Sequence, residues 1–166
     1  MSVNHYLLPI ADAELRTLVA APESCHDFVN AREDRVISLS TSGCAITALI
    51  AEDDNDPLAF LRVGAPDEFS GWIGEYAEED GRVVKCQVDM GYGPAWYCAN
   101  EYVVKIADKL EEVTETDFAN WFDADWLQEN HVYPSGWHEE GVQEFTVECF
   151  HALRQCVLTA AQNGDH

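Results

Sequence analysis

A chain of 166 residues, 47% hydrophobic and 24% charged, has the length and apolar content of one globular domain and not of a disordered segment. Nine Lys+Arg against 31 Asp+Glu give a formal net charge of -22. A field of that sign repels nucleic-acid phosphate and anionic lipid headgroups, which argues against both as partners. It leaves two readings, plain solubility or an acidic surface that steers a basic partner.

The acid is spread along the chain, 17 residues in 1–100 and 14 in 101–166, so neither end is an acidic tail. Two dense knots stand out, Glu52-Asp53-Asp54-Asn55-Asp56 and Glu78-Glu79-Asp80, and both read as loops. The first lacks the alternating Asp spacing and the distal Glu of a calcium loop.

Val3–Ile10 reads as a short strand. Ala11-Asp12 then opens the helix DAELRTLVA, with Leu15, Leu18 and Val19 on one side, and Pro22 ends it. Residues 23–35 allow a helical turn. In VISLSTSGCAITALIAEDD the hydroxyls of Ser40 to Ser42 are candidate caps of a buried helix carrying Cys44, Ile46, Ala48, Leu49 and Ile50. PLAFLRVG fits a short helix or a strand, and residues 64–81, with their Gly and Pro, read as loop-rich.

Arg82–Met90 alternates as a strand should. Gly91–Pro94 turns the chain, and AWYC is extended. Asn100 is placed as the cap of EYVVKIADKLEEV, with its stripe Val103, Ile106, Ala107, Leu110 and Val113. Thr114 or Thr116 caps DFANWFD, and Asp123 caps ADWLQEN. After Tyr133-Pro134 a long helix is predicted from about Glu139 to Asn163, stopped by Gly164. Its apolar spacing is Val142, Phe145, Cys149, Phe150, Leu153, Val157 and Ala160 or Ala161. Short strands early and helices late, without βαβ alternation, predict a single α+β domain over residues 1–166.

No residue is nominated as catalytic and no cofactor is expected. There is no GxSxG, and Ser42-Gly43-Cys44 reads as a helix start with nothing local to activate a nucleophile. His131, His138 and His151 lack zinc-ligand spacing, so no metal is expected. The six cysteines form no CxxC and read mostly as small buried hydrophobes, with Cys149 and Cys156 on one helix face. MSVNHYLLPI has neither the basic region nor the apolar run of a signal peptide, and a cytoplasmic location is expected.

The aromatic set carries more information. Trp72, Trp96, Trp121, Trp126 and Trp137 join Tyr92, Tyr97, Tyr102 and Tyr133, and their neighbours are acids, unlike a nucleic-acid surface. Trp121 and Trp126 lie on short helices that survive only by burial, so both are expected in the core. Trp137, in a turn beside His138, is equally compatible with the core and with an exposed rim.

Three segments carry a resemblance: GPAWYCANEYVVKIADKL, DFANWFDADWLQENHVYPSGW and FHALRQCVLTAAQNG, within residues 93–164. In order and spacing they resemble the YfbM-like family of small, uncharacterised bacterial proteins, as does Asn55-Asp56-Pro57-Leu58. The resemblance implies an α+β fold and no catalytic residue. Two features depart from it. VISLSTSGC lacks the family's Trp, and the chain stops at Asp165-His166 where the family continues into an apolar strand. A sheet strand is therefore expected to be missing.

The leading functional expectation is a non-catalytic acidic binding protein, in concrete form an immunity- or antitoxin-type protein that neutralises a basic toxin. Its partner-binding residues would be Glu52, Asp53, Asp54, Asp56, Glu78, Glu79, Asp80, Trp137 and His138. The alternative is a small enzyme or ligand-binding domain with a cleft near Trp96, Tyr97, Tyr133 and Trp137. A self-associating structural domain is the third.

Overall fold

A computed structural model describes residues 4–80, 82–90 and 94–166. Val3, Tyr92 and the Gly91–Gly93 part of the expected turn lie outside the described residues. The elements run β1 (His5–Leu7), α1 (Asp12–Ala20), α2 (Cys25–Asn30), β2 (Ile37–Ser40), α3 (Ser42–Ile50) and α4 (Phe60–Val63). They continue with β3 (Ser70–Trp72), β4 (Tyr76–Glu79), β5 (Arg82–Cys86), β6 (Trp96–Cys98), α5 (Asn100–Glu111), α6 (Glu115–Trp121), α7 (Ala124–Glu129) and α8 (Val142–Asn163). The fold is α+β, with short antiparallel strands in the first part and helices in the second. No described helix is long and apolar enough to cross a membrane.

The main core is built on α8. Its inward residues Cys149, Phe150, Leu153, Val157 and Ala160 meet the α5 stripe of Tyr102, Val103, Ile106, Ala107 and Leu110. Phe118 of α6 stacks on Phe150, with ring centroids 4.3 Å apart. The capping of the short helices follows their sequence. Thr114 accepts from the Asp117 N–H at 3.1 Å while Asp117 accepts from the Thr114 N–H at 3.2 Å, and Asp123 accepts from the Trp126 N–H at 2.9 Å. Asn100 does not cap α5. It is the first helical residue, and its side-chain amide donates to the Asp165 carbonyl at 2.8 Å.

Two helix faces differ from expectation. In α8, Phe145 is 49% exposed, and Thr146 next to it is buried with its hydroxyl turned back to the Val142 carbonyl at 2.8 Å. In α3 the buried residues are Ser42, Gly43, Ala45, Ile46 and Thr47. The helix starts after Thr41 without a side-chain cap, and its small residues let β1 and α8 approach closely. His5 of β1 lies directly on Gly43.

A second cluster joins Ile10, Leu15, Leu18 and Cys25 to Ile73 and Val88, with Ala95 and Tyr97 packed against it. Val19 faces water instead. Asp165-His166 is tied into this end. His166 exchanges backbone hydrogen bonds with Ile10 at 2.9 and 3.2 Å, and its Nδ1 accepts from the Asn100 N–H at 3.2 Å.

Glu14 fixes the start of α1. It accepts from the Ala11 N–H and from two nitrogens of Arg32, at 2.9 and 3.1 Å. Burial pushes its carboxyl up, but these donors outweigh burial and hold it below the ordinary 4.5. A depressed carboxylate contributes stability above its unfolded value and loses it as pH falls through the folded one. Glu14→Gln is expected to destabilise by about 1.5 kcal/mol at pH 7, the low end for hydrogen bonds to charged groups, because the pair is partly exposed. The gap between variant and wild type in urea melts should close as pH drops below 4.5.

Residues 64–81, expected as loop, contain β3 and β4. β3 pairs with β6 and β4 with β5, as two separate two-stranded antiparallel ribbons. Phe69 pairs with Ala99, Gly71 with Tyr97, Trp72 with Trp96 and Ile73 with Ala95. After Gly74, at φ +94, pairing resumes at Glu75 with Gln87 and runs to Glu79 with Arg82. On the returning side Asp89 and Pro94 form an isolated antiparallel bridge. A glycine stands at 71 because the Tyr97 ring covers it; a Cβ there would lie 2.7 Å from the ring. Gly71, Ile73, Ala95 and Tyr97 share the inward face, while Trp72 and Trp96 share the outward one. The second ribbon, β4 and β5, buries neither face, and Val83 and Val84 are exposed.

Candidate partner-binding surfaces

The corner Trp121–Glu140 is organised around Trp137. Its indole is 4% exposed and packs with Ala45 and Leu127, edge-on to Phe122 at 6.4 Å. The indole N–H donates to the Val132 carbonyl at 2.9 Å, so the ring buries without orphaning its polar atom. Gly136, at φ +90, makes the turn, and the Tyr133–Pro134 peptide is cis. The stretch is a folding corner.

Trp121 and Trp126 are 47% and 41% exposed, contrary to expectation. Phe118 fills the inward side of α6, Phe122 follows just past its end, and Leu127 fills that of α7, which leaves Trp121 and Trp126 on the outer sides. Tyr133 is also exposed.

Beside this corner lies a shallow depression of about 390 Å³, lined by Phe122, Ala124, the edge of Trp137, His138, Gln143 and the carboxylates of Glu139, Glu140 and Glu144. No Lys or Arg lines it. His138 is engaged with Asp125 at 3.3 Å. The α8 N-terminus opens here at Gly141, and its partial charge of about +0.5 favours acids. Three carboxylates exceed that charge several-fold, so the depression remains acidic.

The two acidic knots have different roles. In the first, Asp56 accepts from the N–H groups of Leu58 and Glu52, Asp53 accepts from Asn55 N–H, and Asp54 pairs with Arg62 at 2.7 Å. Most of this knot folds its own loop. The second, Glu78-Glu79-Asp80, sits exposed where β4 ends, and Glu78 and Glu79 form no ion pair with a described residue. Trp96 and Tyr97 lie on β6, Tyr97 against the second cluster, whereas Trp137 belongs to a third. These two halves of the expected cleft therefore pack in different places.

Another depression, about 280 Å³, is lined by Glu115, Val147, Glu148 and His151, with His151 Nδ1 hydrogen-bonded to Glu115. No hydroxyl or thiol lines it to be activated by that pair. No group of three His, Cys, Asp or Glu among the described residues is arranged for a metal ion. Burial pushes the Cys98 thiol up to about 12 and that of Cys156 to about 11, which keeps both as thiols near neutral pH.

The sequence had no signal for the Trp72–Trp96 pairing, because it depends on the register of two strands more than twenty residues apart. Compared with known proteins, the whole chain, residues 1–166, matches a family described as a domain of unknown function (DUF1877). No curated protein and no solved structure matches it.

Proposed function

The chain belongs to the DUF1877 family, and from that premise and its surface we propose that it is a non-catalytic acidic binding protein that receives basic groups of a protein partner. The observation that carries this reading is the depression beside Trp137, where Glu139, Glu140 and Glu144 gather without a Lys or Arg. A Lys or Arg entering it meets uncompensated carboxylates, and the net charge of -22 steers it there. The resemblance of residues 93–164 to YfbM-like proteins supports a bacterial protein, and a cytoplasmic location is part of the proposal. The most concrete form is an immunity- or antitoxin-type protein that covers the cleft of a basic toxin.

The test is capture of the native partner by tagged protein, washed at low and at high salt. A stoichiometric basic protein that is retained at low salt and released at high salt is expected. Glu139→Gln/Glu140→Gln/Glu144→Gln should weaken its retention. Recovery of no protein at either salt would sink the reading.

A further inference from the structure

We propose that the outward face of the β3–β6 ribbon, the aromatic strip Trp96–Trp72–Tyr76, is the docking site for an extended, arginine-bearing segment of the partner. The inference rests on the acidic-binding reading and deepens it by naming a surface and the chemistry of its occupant.

Three independent features converge on the strip. The first is apolar. Trp72 and Trp96 stand directly opposite each other, 40% and 39% exposed, and the Trp72 ring lies 4.4 Å from that of Tyr76. Three amphipathic rings thus line up along one face, whose opposite side is already used against the second cluster.

The second is charge. Residues 67–90 hold seven acids and two bases, Arg82 and Lys85. Glu75, Glu78 and Glu79 form no ion pair with any described residue. Elsewhere the fold places its own cations on rings: Arg32 lies 3.6 Å from the Phe28 centroid and Lys105 lies 4.0 Å from that of Phe69. Among the described residues no cation covers Trp72 or Trp96. Indole is the strongest cation–π acceptor, and a guanidinium stacks on it flat.

The third is the backbone. Among the described residues neither edge of the ribbon pairs with a further strand, and a two-stranded ribbon is marginal by itself. An added strand would satisfy an edge and would project alternate side chains over the rings.

Charge decides among occupants. A second copy would bring another -22 against the same acidic arm, and a nucleic acid would bring phosphate. A basic protein segment is the complement.

The full chain would be titrated at low salt with an alternating Arg-Val octapeptide and with its Lys-Val and Glu-Val counterparts, followed by calorimetry. Arg-Val is expected to bind most tightly, Lys-Val more weakly and Glu-Val not at all. Trp72→Leu/Trp96→Leu should weaken Arg-Val about tenfold or more, and Trp126→Leu should leave it unchanged. Unchanged affinity in the folded double variant overturns the proposal. If Glu139→Gln/Glu140→Gln/Glu144→Gln weakens the peptide instead, the acidic-binding reading stands with its site at the corner. No binding of Arg-Val to the wild type also overturns the ribbon proposal, and native-partner capture then decides the broader reading alone.

A second measurement keeps both ribbon tryptophans. In Trp121→Leu/Trp126→Leu the remaining indoles are Trp72, Trp96 and the buried Trp137. Arg-Val should reduce acrylamide quenching of that variant's fluorescence. Bound peptide that leaves quenching unaltered would place the segment elsewhere.

Discussion

Phe150→Ala is expected to cost about 3–5 kcal/mol, the range for emptying a fully buried phenylalanine site. Phe150 has no exposed surface and stacks on Phe118, which is equally buried. The ring is the point where α8 meets α6, and its neighbours on α8 hold α5. Removing it leaves a void that helices tied at both ends cannot close. The end of α8 is followed by Asp165-His166, whose backbone is bonded to Asn100 and Ile10, and its first residue Val142 packs against the Trp137 cluster. Against a typical total of about 5–15 kcal/mol, the loss removes a large share of the stability. At this chain length it should lower the melting temperature by about 6–20 °C. Phe145→Ala is the control on the same helix. That ring faces water, and its removal should change stability by less than about 0.5 kcal/mol. Thermal melts followed by circular dichroism separate the two. Equal shifts would show that α8 is rotated relative to the packing described above.

The same pair of phenylalanines shows how far the sequence reaches. The 3–4 spacing along α5 and α8 selects Val103, Ile106, Ala107, Leu110, Phe150, Leu153 and Val157, and all are buried. Local caps are equally legible, because Thr114 and Asp123 act within three residues of themselves. Phe145 belongs to the same spacing and is exposed, since a helix 22 residues long carries more apolar positions than its neighbours cover. Trp121 and Trp126 are exposed for a related reason: periodicity marks a face, but not which large residue on a short helix wins the available space.

The ribbons were the least legible part. Residues 64–81 hold glycines and prolines that signal turns, yet Ser70–Trp72 and Tyr76–Glu79 form strands because Trp96–Cys98 and Arg82–Cys86 pair with them. Gly71 is a packing residue whose reason, the Tyr97 ring, lies 26 positions away. The surface was readable in part. The acidic knots are visible as runs, but runs do not distinguish Asp56, which holds its own loop, from Glu79, which faces water. Nor does a sequence show that Glu139, Glu140 and Glu144 share one depression with Phe122.

Gly43→Ala isolates a contact of that long-range kind. In most helix interiors, alanine for glycine gains up to about 1 kcal/mol of helix propensity. Here the new Cβ would stand 2.5 Å from His5 Nδ1 and 2.9 Å from its Cγ, closer than any tolerated contact. His5 cannot swing aside freely, because its Nε2 is within 3.0 Å of the Leu61 carbonyl. A carbonyl only accepts, so Nε2 carries the hydrogen in that contact, and Nδ1 is buried without a hydrogen-bond partner. The glycine is therefore the floor on which an imidazole lies, and β1 is seated on α3 through it. Overpacking of this kind costs about 1–3 kcal/mol and should outweigh the propensity gain. Gly43→Ala is expected to lower the urea midpoint, and His5→Ala should do so separately by leaving the Leu61 carbonyl unpaired. The double variant is the decisive measurement. With the ring gone the new methyl has space, so its stability should exceed the sum of the single losses by about 1 kcal/mol or more. Strict additivity would mean that the ring and the glycine do not touch.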